Sequence, residues 1–173
     1  MDTQERRELL LEALKQAPGP LTGGFLSGKF NVSRQIIVGD ISVLRAGGSI
    51  IYATPRGYVM PEKDELHGIV GIIACKHGPE QMRRELEIIV DNGGYVRDVI
   101  VEHPLYGEIR ADLMLRNRHD VEVFDNRMKE CAGMPLSIVT QGVHLHTIEA
   151  PDQETLERIK RQLRQENICA NKA

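Results

Sequence analysis

The feature that most constrains this chain is a change of hydrophobic period part-way along it. Up to residue 60 the apolar residues recur at helical spacing, in short runs cut by glycine and proline, and end in a β-rich pair. From residue 67 strand-like and helix-like runs alternate. In the first part, ERRELLLEALKQA predicts a helix from residue 5, closed by the breaker stretch PGPLTGG. GGFLSGKF and the turn-like Asn31-Val32-Ser33 follow. Ser33 is a suitable N-cap for SRQIIVGDISVLRAGG, where Ile37, Ile41 and Leu44 recur at i, i+4 and i+7 and Gly47-Gly48 ends the run. IIYATPRGYVM then reads as a hairpin turning at Thr54-Pro55-Arg56-Gly57. Three short helices followed by a hairpin is the order of a winged helix-turn-helix, predicted over residues 1–60.

PEKDEL, residues 61–66, has the composition of a linker, and a second domain is expected over 67–173. There GIVGIIACKH reads as a buried strand and PEQMRRELEIIVDNGG as a helix opened by Pro79 and closed by Asn92-Gly93-Gly94. YVRDVIVEH and GEIRADLMLR read as strands, the second with Ile109, Ala111, Leu113 and Leu115 alternating with polar residues. HDVEVFDNRMKECAG is helical by Val121, Phe124, Met128 and Cys131. PLSIVTQGVHLHTIEA reads as one strand or two, and PDQETLERIKRQLRQ as a last helix by Leu156, Ile159 and Leu163. The order β-α-β-β-α-β plus a helix predicts a split β-α-β, ferredoxin-like sandwich, so the fold class is α+β.

Composition limits the function. Aromatic residues are only 4% of the chain, which argues against a base-stacking platform for single strands. The amphipathic, charged N-terminus lacks an apolar signal-type core, and no run reaches the length of a membrane span, so a cytoplasmic protein with no membrane partner is expected. Cys75, Cys131 and Cys169 form no C-x-x-C pair and predict reduced thiols, not a disulfide framework. Residues 1–60 carry 7 Lys/Arg against 5 Asp/Glu, while 61–173 carry 15 against 20, an asymmetry compatible with nucleic acid at the N-terminal end.

In a helix-turn-helix the N-terminal side chains of the second helix of the motif meet base edges in the major groove. Here these are Ser33, Arg34 and Gln35, with Arg56 at the hairpin tip for the backbone or minor groove. Arg can grip guanine and Gln adenine through paired hydrogen bonds; equally, Arg34 and Arg56 are types found as solvated surface charges. The residues VSRQIIVGDISVLRAGG and IIYATPRGYVM resemble the winged helix-turn-helix of bacterial repressors of the biotin-operon-repressor type. The recognition helix of that type reads V-S-R-x-x-V-x-x-D-I-x-x-L-R, and its wing often carries T-P-x-G-Y. The resemblance implies a double-stranded operator as partner. Val38-Gly39 departs from it, standing where such domains often place a polar or basic residue.

His144 and His146 are two apart on a predicted strand and so share one face. His77 ends an earlier strand, and Glu85 falls in the inward row of Met82 and Ile89, where a carboxylate needs a partner. Together His77, Glu85, His144 and His146 would give three nitrogens and one oxygen, a set that suits zinc, nickel or iron(II). Taken singly, H-x-H also fits a solvated strand face, and a Glu at a core edge can reach water. His103 and Tyr106 in HPLYGEI are candidates to meet a small ring, or else to cap and pack a turn, and Arg97 or Arg110 to pair with a carboxylate. His67 and His119 read as surface residues.

Residues 68–149, through GIVGIIACKHGPEQMRRELEIIVDNGG, VRDVIVEHPLYGEI and LSIVTQGVHLHTIEA, resemble the three-histidine (3H) domain of niacin-responsive transcription repressors. That resemblance implies a repressor of NAD-biosynthesis or niacin-uptake genes, with nicotinic acid as co-repressor; a homodimer is expected because one small winged helix reads too few bases. It also implies a divalent metal on His77, Glu85, His144 and His146. A rival reading is a metal-dependent hydrolase with Glu85 or Glu102 as base, against which stand an idle N-terminal domain and the absence of a nucleophile or phosphate-loop motif. A plain DNA-binding module with an inert dimerisation domain leaves the inward Glu85 and its histidines unexplained.

Overall fold

Side-chain caps set the starts of the N-terminal helices. Asp2, Thr22 and Ser33 each accept from a backbone N–H in the first turn of α1 (Thr3–Gln16), α2 (Gly23–Phe30) and α3 (Arg34–Ala46). The structure, a computed structural model, describes residues 2–61 and 68–169, and the chain forms two compact units, 1–63 and 64–173. The expected linker therefore lies outside the described residues except for Pro61, as does His67.

In the first unit Leu10, Leu14, Leu26, Phe30, Ile37, Ile41 and Ile51 form the core. Asp40, buried on α3, accepts from Arg6 Nε at 2.7 Å and Arg7 Nε at 2.8 Å, tying α1 to the recognition helix. β1 (Tyr52–Thr54) and β2 (Gly57–Val59) are the wing. It is anchored where Leu21 and Tyr58 exchange both backbone hydrogen bonds, at 2.9 and 2.8 Å. Gly57, at φ 132°, lies so close to this bridge that a Cβ there would fall 2.4 Å from the Leu21 carbonyl oxygen.

The second unit runs β3 (Ile69–Lys76), α4 (Met82–Asp91), β4 (Tyr95–His103), β5 (Gly107–Leu115), α5 (Arg118–Glu130), β6 (Val143–Ala150) and α6 (Gln153–Gln165). The sheet order is β3-β6-β4-β5, with every neighbouring pair antiparallel. The expected split β-α-β is present twice. β3 and β4 run parallel with β6 between them, and β5 and β6 run parallel with β4 between them. In a ferredoxin the third of the four strands separates the first two; here the fourth, β6, does so. That choice carries His144 and His146 into the middle of the sheet. Residues from α4, α5 and α6 pack on one face of the sheet, around Leu86, Ile89, Val121, Phe124, Leu156, Ile159 and Leu163.

Of the one strand or two expected over PLSIVTQGVHLHTIEA, one forms, and it starts late. Leu136–Thr140 is a 3-10 turn, not the start of a strand, because Gln141 and Gly142 both take positive φ and reverse the chain before β6. Glu87, which as a polar residue off the apolar stripe should be solvated, is half-buried and accepts from Arg83 at 2.9 Å.

Candidate metal centre and DNA-reading elements

Strand register builds the centre. On β6, His144 and His146 face the helices, opposite Cys75 and Ile73 of β3. His77 follows β3 directly, and Glu85 faces the sheet from the first turn of α4. All four predicted ligands come together, and Glu85 is only 1% exposed. Its Oε2 lies 2.7 Å from His77 Nε2, both its oxygens lie 3.2 Å from His144 Nε2, and Oε1 lies 3.4 Å from His146 Nε2.

The far side of each ring fixes its tautomer. His77 Nδ1 is 2.8 Å from the Gly78 carbonyl, His144 Nδ1 is 2.8 Å from the Gly142 carbonyl, and His146 Nδ1 is 2.6 Å from the Asp98 carbonyl. A carbonyl only accepts, so each Nδ1 carries a proton, and in a neutral ring Nε2 is left with a lone pair. Three lone pairs aimed at a buried carboxylate repel it unless a cation or added protons lie between them. Burial alone would raise the Glu85 carboxyl; the imidazoles around it, His146 foremost, hold it well below the usual range. Burial would lower His77 and His146, but Glu85 raises both. This donor set fits a divalent transition metal: three Nε2 atoms and a carboxylate, with each ring oriented by a backbone carbonyl.

Two further residues belong to the centre. Asp98 sits at a bulge in β4 that aims its carbonyl at His146, while its carboxylate accepts from Thr147 N at 3.0 Å. Cys75 places its sulfur with ligand atoms of Glu85 and His144 in a group spanning no more than 4.8 Å. The i, i+2 spacing of Cys75 and His77 carried the signal for Cys75. Asp98 had none, because bulges leave little trace in hydrophobic alternation.

Two cavities flank the centre. One of about 830 Å³ is lined by residues that include Glu102, His103, Thr140, Val143 and His144. The other, of about 410 Å³, is lined by residues that include His77, Ser137 and Gln141. His103 Nδ1 accepts from the N–H groups of Leu105 and Tyr106 at 3.1 and 3.2 Å, capping the β4–β5 turn. Tyr106 is 74% exposed, its ring centroid 5.0 Å from that of His103, and does not line the larger cavity. Arg97 pairs with Glu149 at 3.2 Å, and Arg110 with Asp98 at 2.5 Å and Glu108 at 3.2 Å. Both guanidiniums are thus already matched to carboxylates of the chain.

In the first unit Arg34 and Gln35 are exposed at the start of α3, and Ser33 Oγ accepts from Ile36 N at 3.3 Å as the cap. Arg56 is half-buried in the wing turn, its backbone N–H donating to Thr54 Oγ1 at 3.2 Å. Val38 and Gly39 lie exposed on the same helix, offering an apolar surface of the kind that meets thymine methyl groups.

Residues 6–59 match a helix-turn-helix domain family, and residues 70–172 match the 3H domain family. The probable transcription repressor NiaR of Thermotoga maritima is 45% identical over 165 residues, covering 95% of this chain and 93% of the relative. The transcription repressor NadR of Bacillus subtilis is 44% identical over 165 residues, covering 94% and 92%. The chain belongs to the NiaR/NadR family of transcription repressors. An uncharacterized protein of Methanothermus fervidus is 28% identical over 102 residues, covering 56% of this chain and 16% of the relative. As a member of a repressor family with a helix-turn-helix domain, the chain is a DNA-binding regulator and not an enzyme, which removes the hydrolase reading. No helix among the described residues of the repressor is long and apolar enough to cross a membrane.

Proposed function

We propose that this repressor controls genes of NAD biosynthesis or niacin uptake in the cytoplasm, with nicotinic acid as co-repressor and one divalent metal ion per chain. The observation that carries the metal is the set of three imidazoles whose Nδ1 atoms are committed to carbonyls and whose Nε2 atoms converge on Glu85. His77, Glu85, His144 and His146 would hold the ion, nickel or zinc ahead of iron(II). The ion supplies a positive centre able to attract an anionic carboxylate.

The larger cavity suits the acid. His103 Nδ1 is occupied as an acceptor, so in the neutral ring Nε2 carries the proton and is a donor for a pyridine nitrogen. His144 lines the same cavity, which supports a pose with the acid's carboxylate at the histidine end. Tyr106 then contributes through His103, and Arg97 or Arg110 would take part only by exchanging their present partners.

The proposed repressor acts as a homodimer, since one winged helix reads too few bases. Val70, Ile72 and Val143, at 49, 60 and 44% exposed, form an apolar strip on the sheet face away from the helices, which a second copy would cover. Ser33, Arg34, Gln35 and Arg56 are the proposed DNA contacts, with 1–60 as the DNA-binding domain, 61–66 the linker and 67–173 the effector and dimerisation domain.

The test is binding of the purified protein to a promoter fragment from a niacin-uptake or NAD-synthesis gene, titrated with nicotinic acid, with and without nickel or zinc. The proposal requires the acid to strengthen binding. Binding indifferent to the acid would reject it as co-repressor.

A further inference from the structure

The two cysteines of the second unit that are not on the surface meet across a strand pairing. Cys169, just beyond α6, forms an antiparallel bridge with Cys75 at the outer edge of β3. The Lys76 N–H donates to the Ile168 carbonyl at 2.9 Å, one residue along from the bridge on both strands. That pattern makes Cys75 and Cys169 a non-hydrogen-bonded pair. Such pairs bring Cα atoms to about 4.5 Å with both side chains on one face, within the range a disulfide spans. Both side chains pack into the same core. Cys131, in contrast, is exposed beyond α5 and belongs to neither strand.

We propose that Cys75 and Cys169 are a redox-active pair, which a hydroperoxide closes reversibly into a disulfide that fixes the C-terminal segment to β3 beside the histidine centre. The two positions are unequal in the way such a pair requires. Cys75 is fully buried, and Cys169 is partly exposed, so the oxidant reaches Cys169 first. The thiolate of Cys169 attacks the peroxide, the O–O bond breaks, and Cys169 becomes a sulfenic acid while an alcohol or water leaves. The Cys75 sulfur then attacks the Cys169 sulfur; the S–O bond breaks, and the departing hydroxide takes the Cys75 proton as water. Two thiols are oxidised and one hydroperoxide is reduced. A dithiol reductant reverses the closure by exchange. Cys75 stands opposite His144 in register and two residues before His77, so the closure occurs on the strand that leads into the centre. The inference does not depend on the nature of the effector.

The full-length protein, purified reduced, is treated with a small excess of hydrogen peroxide, quenched in acid, denatured and counted for free thiols. The expected result is loss of two thiols of three, a peptide linking Cys75 to Cys169 in a non-reducing digest, and recovery of all three thiols with dithiothreitol. In Cys169→Ser, with its circular dichroism matching the parent, Cys75 should stay reduced under the same treatment. Survival of both thiols in the parent, a linkage through Cys131, irreversible oxidation of Cys169, or oxidation of Cys75 in Cys169→Ser would each overturn the pairing.

Discussion

Asp40 shows how a single buried residue can fix the position of a helix. Its carboxylate is buried on α3 and held by Arg6 and Arg7 of α1. Burial raises its pKa, but the two guanidiniums more than offset that and leave it below the usual carboxylate value. A folded-state pKa below the unfolded one contributes stability that is fully present above the unfolded value, near pH 4, and is lost as pH falls through the folded value. Asp40→Asn is therefore expected to lower the stability of the first unit at pH 7 by about 2–3 kcal/mol in urea titration. This is less than for a fully buried pair because both arginines keep some contact with water. The deficit should shrink as the buffer is taken below about pH 4. At the DNA surface, Arg34→Ala should weaken operator binding by about 1–3 kcal/mol if it meets a base edge, read as a shift in a binding isotherm at fixed salt. Glu85 was legible in the sequence as an inward carboxylate needing a partner, because helical spacing alone placed it. Asp40 was visible only as part of a motif, since nothing in the spacing of Arg6 and Arg7 says which carboxylate they meet.

At the scale of elements, glycines at two kinds of position separate tight approach from mere absence of a side chain. Gly142 ends the 3-10 turn at φ 91°, and a Cβ there would fall 2.3 Å from the His77 carbonyl oxygen. Its own carbonyl orients His144. Gly142→Ala is expected to displace the turn and weaken metal binding about 10–100-fold, the range seen when outer-shell support is lost, as measured by competition with a chelating dye. Gly39 has open space around it within α3. Gly39→Ala should raise stability by about 0.5–1 kcal/mol through helix propensity alone, read from the thermal midpoint. The strands and helices were legible because their apolar periods are long and distinct. The turn at 136–140 was not: LSIVT is a β-rich run, and its fate is decided by the reversal at Gln141 and Gly142. Strand order was equally hidden, because local pattern cannot tell which strand is inserted between β3 and β4. That is a matter of long-range pairing, and here it brings His144 and His146 to Glu85.

At the scale of the molecule, the proposed function requires the second unit to pair with a copy of itself. Ile72, 60% exposed on the sheet face that carries Val70 and Val143, is the most exposed of the three. Ile72→Asp is expected to shift the protein from dimer to monomer in light scattering and to weaken operator binding, while leaving its helix content unchanged. A ligand that binds only the folded chain also stabilises it: free metal at a hundred times its Kd should add about 2.7 kcal/mol. The most direct test of the central claim is metal stoichiometry after equilibration with nickel or zinc and removal of free ion, for the parent and for the double variant His144→Ala, His146→Ala. The account predicts one ion per chain in the parent and none retained by the variant. Undiminished stoichiometry in the variant would contradict it.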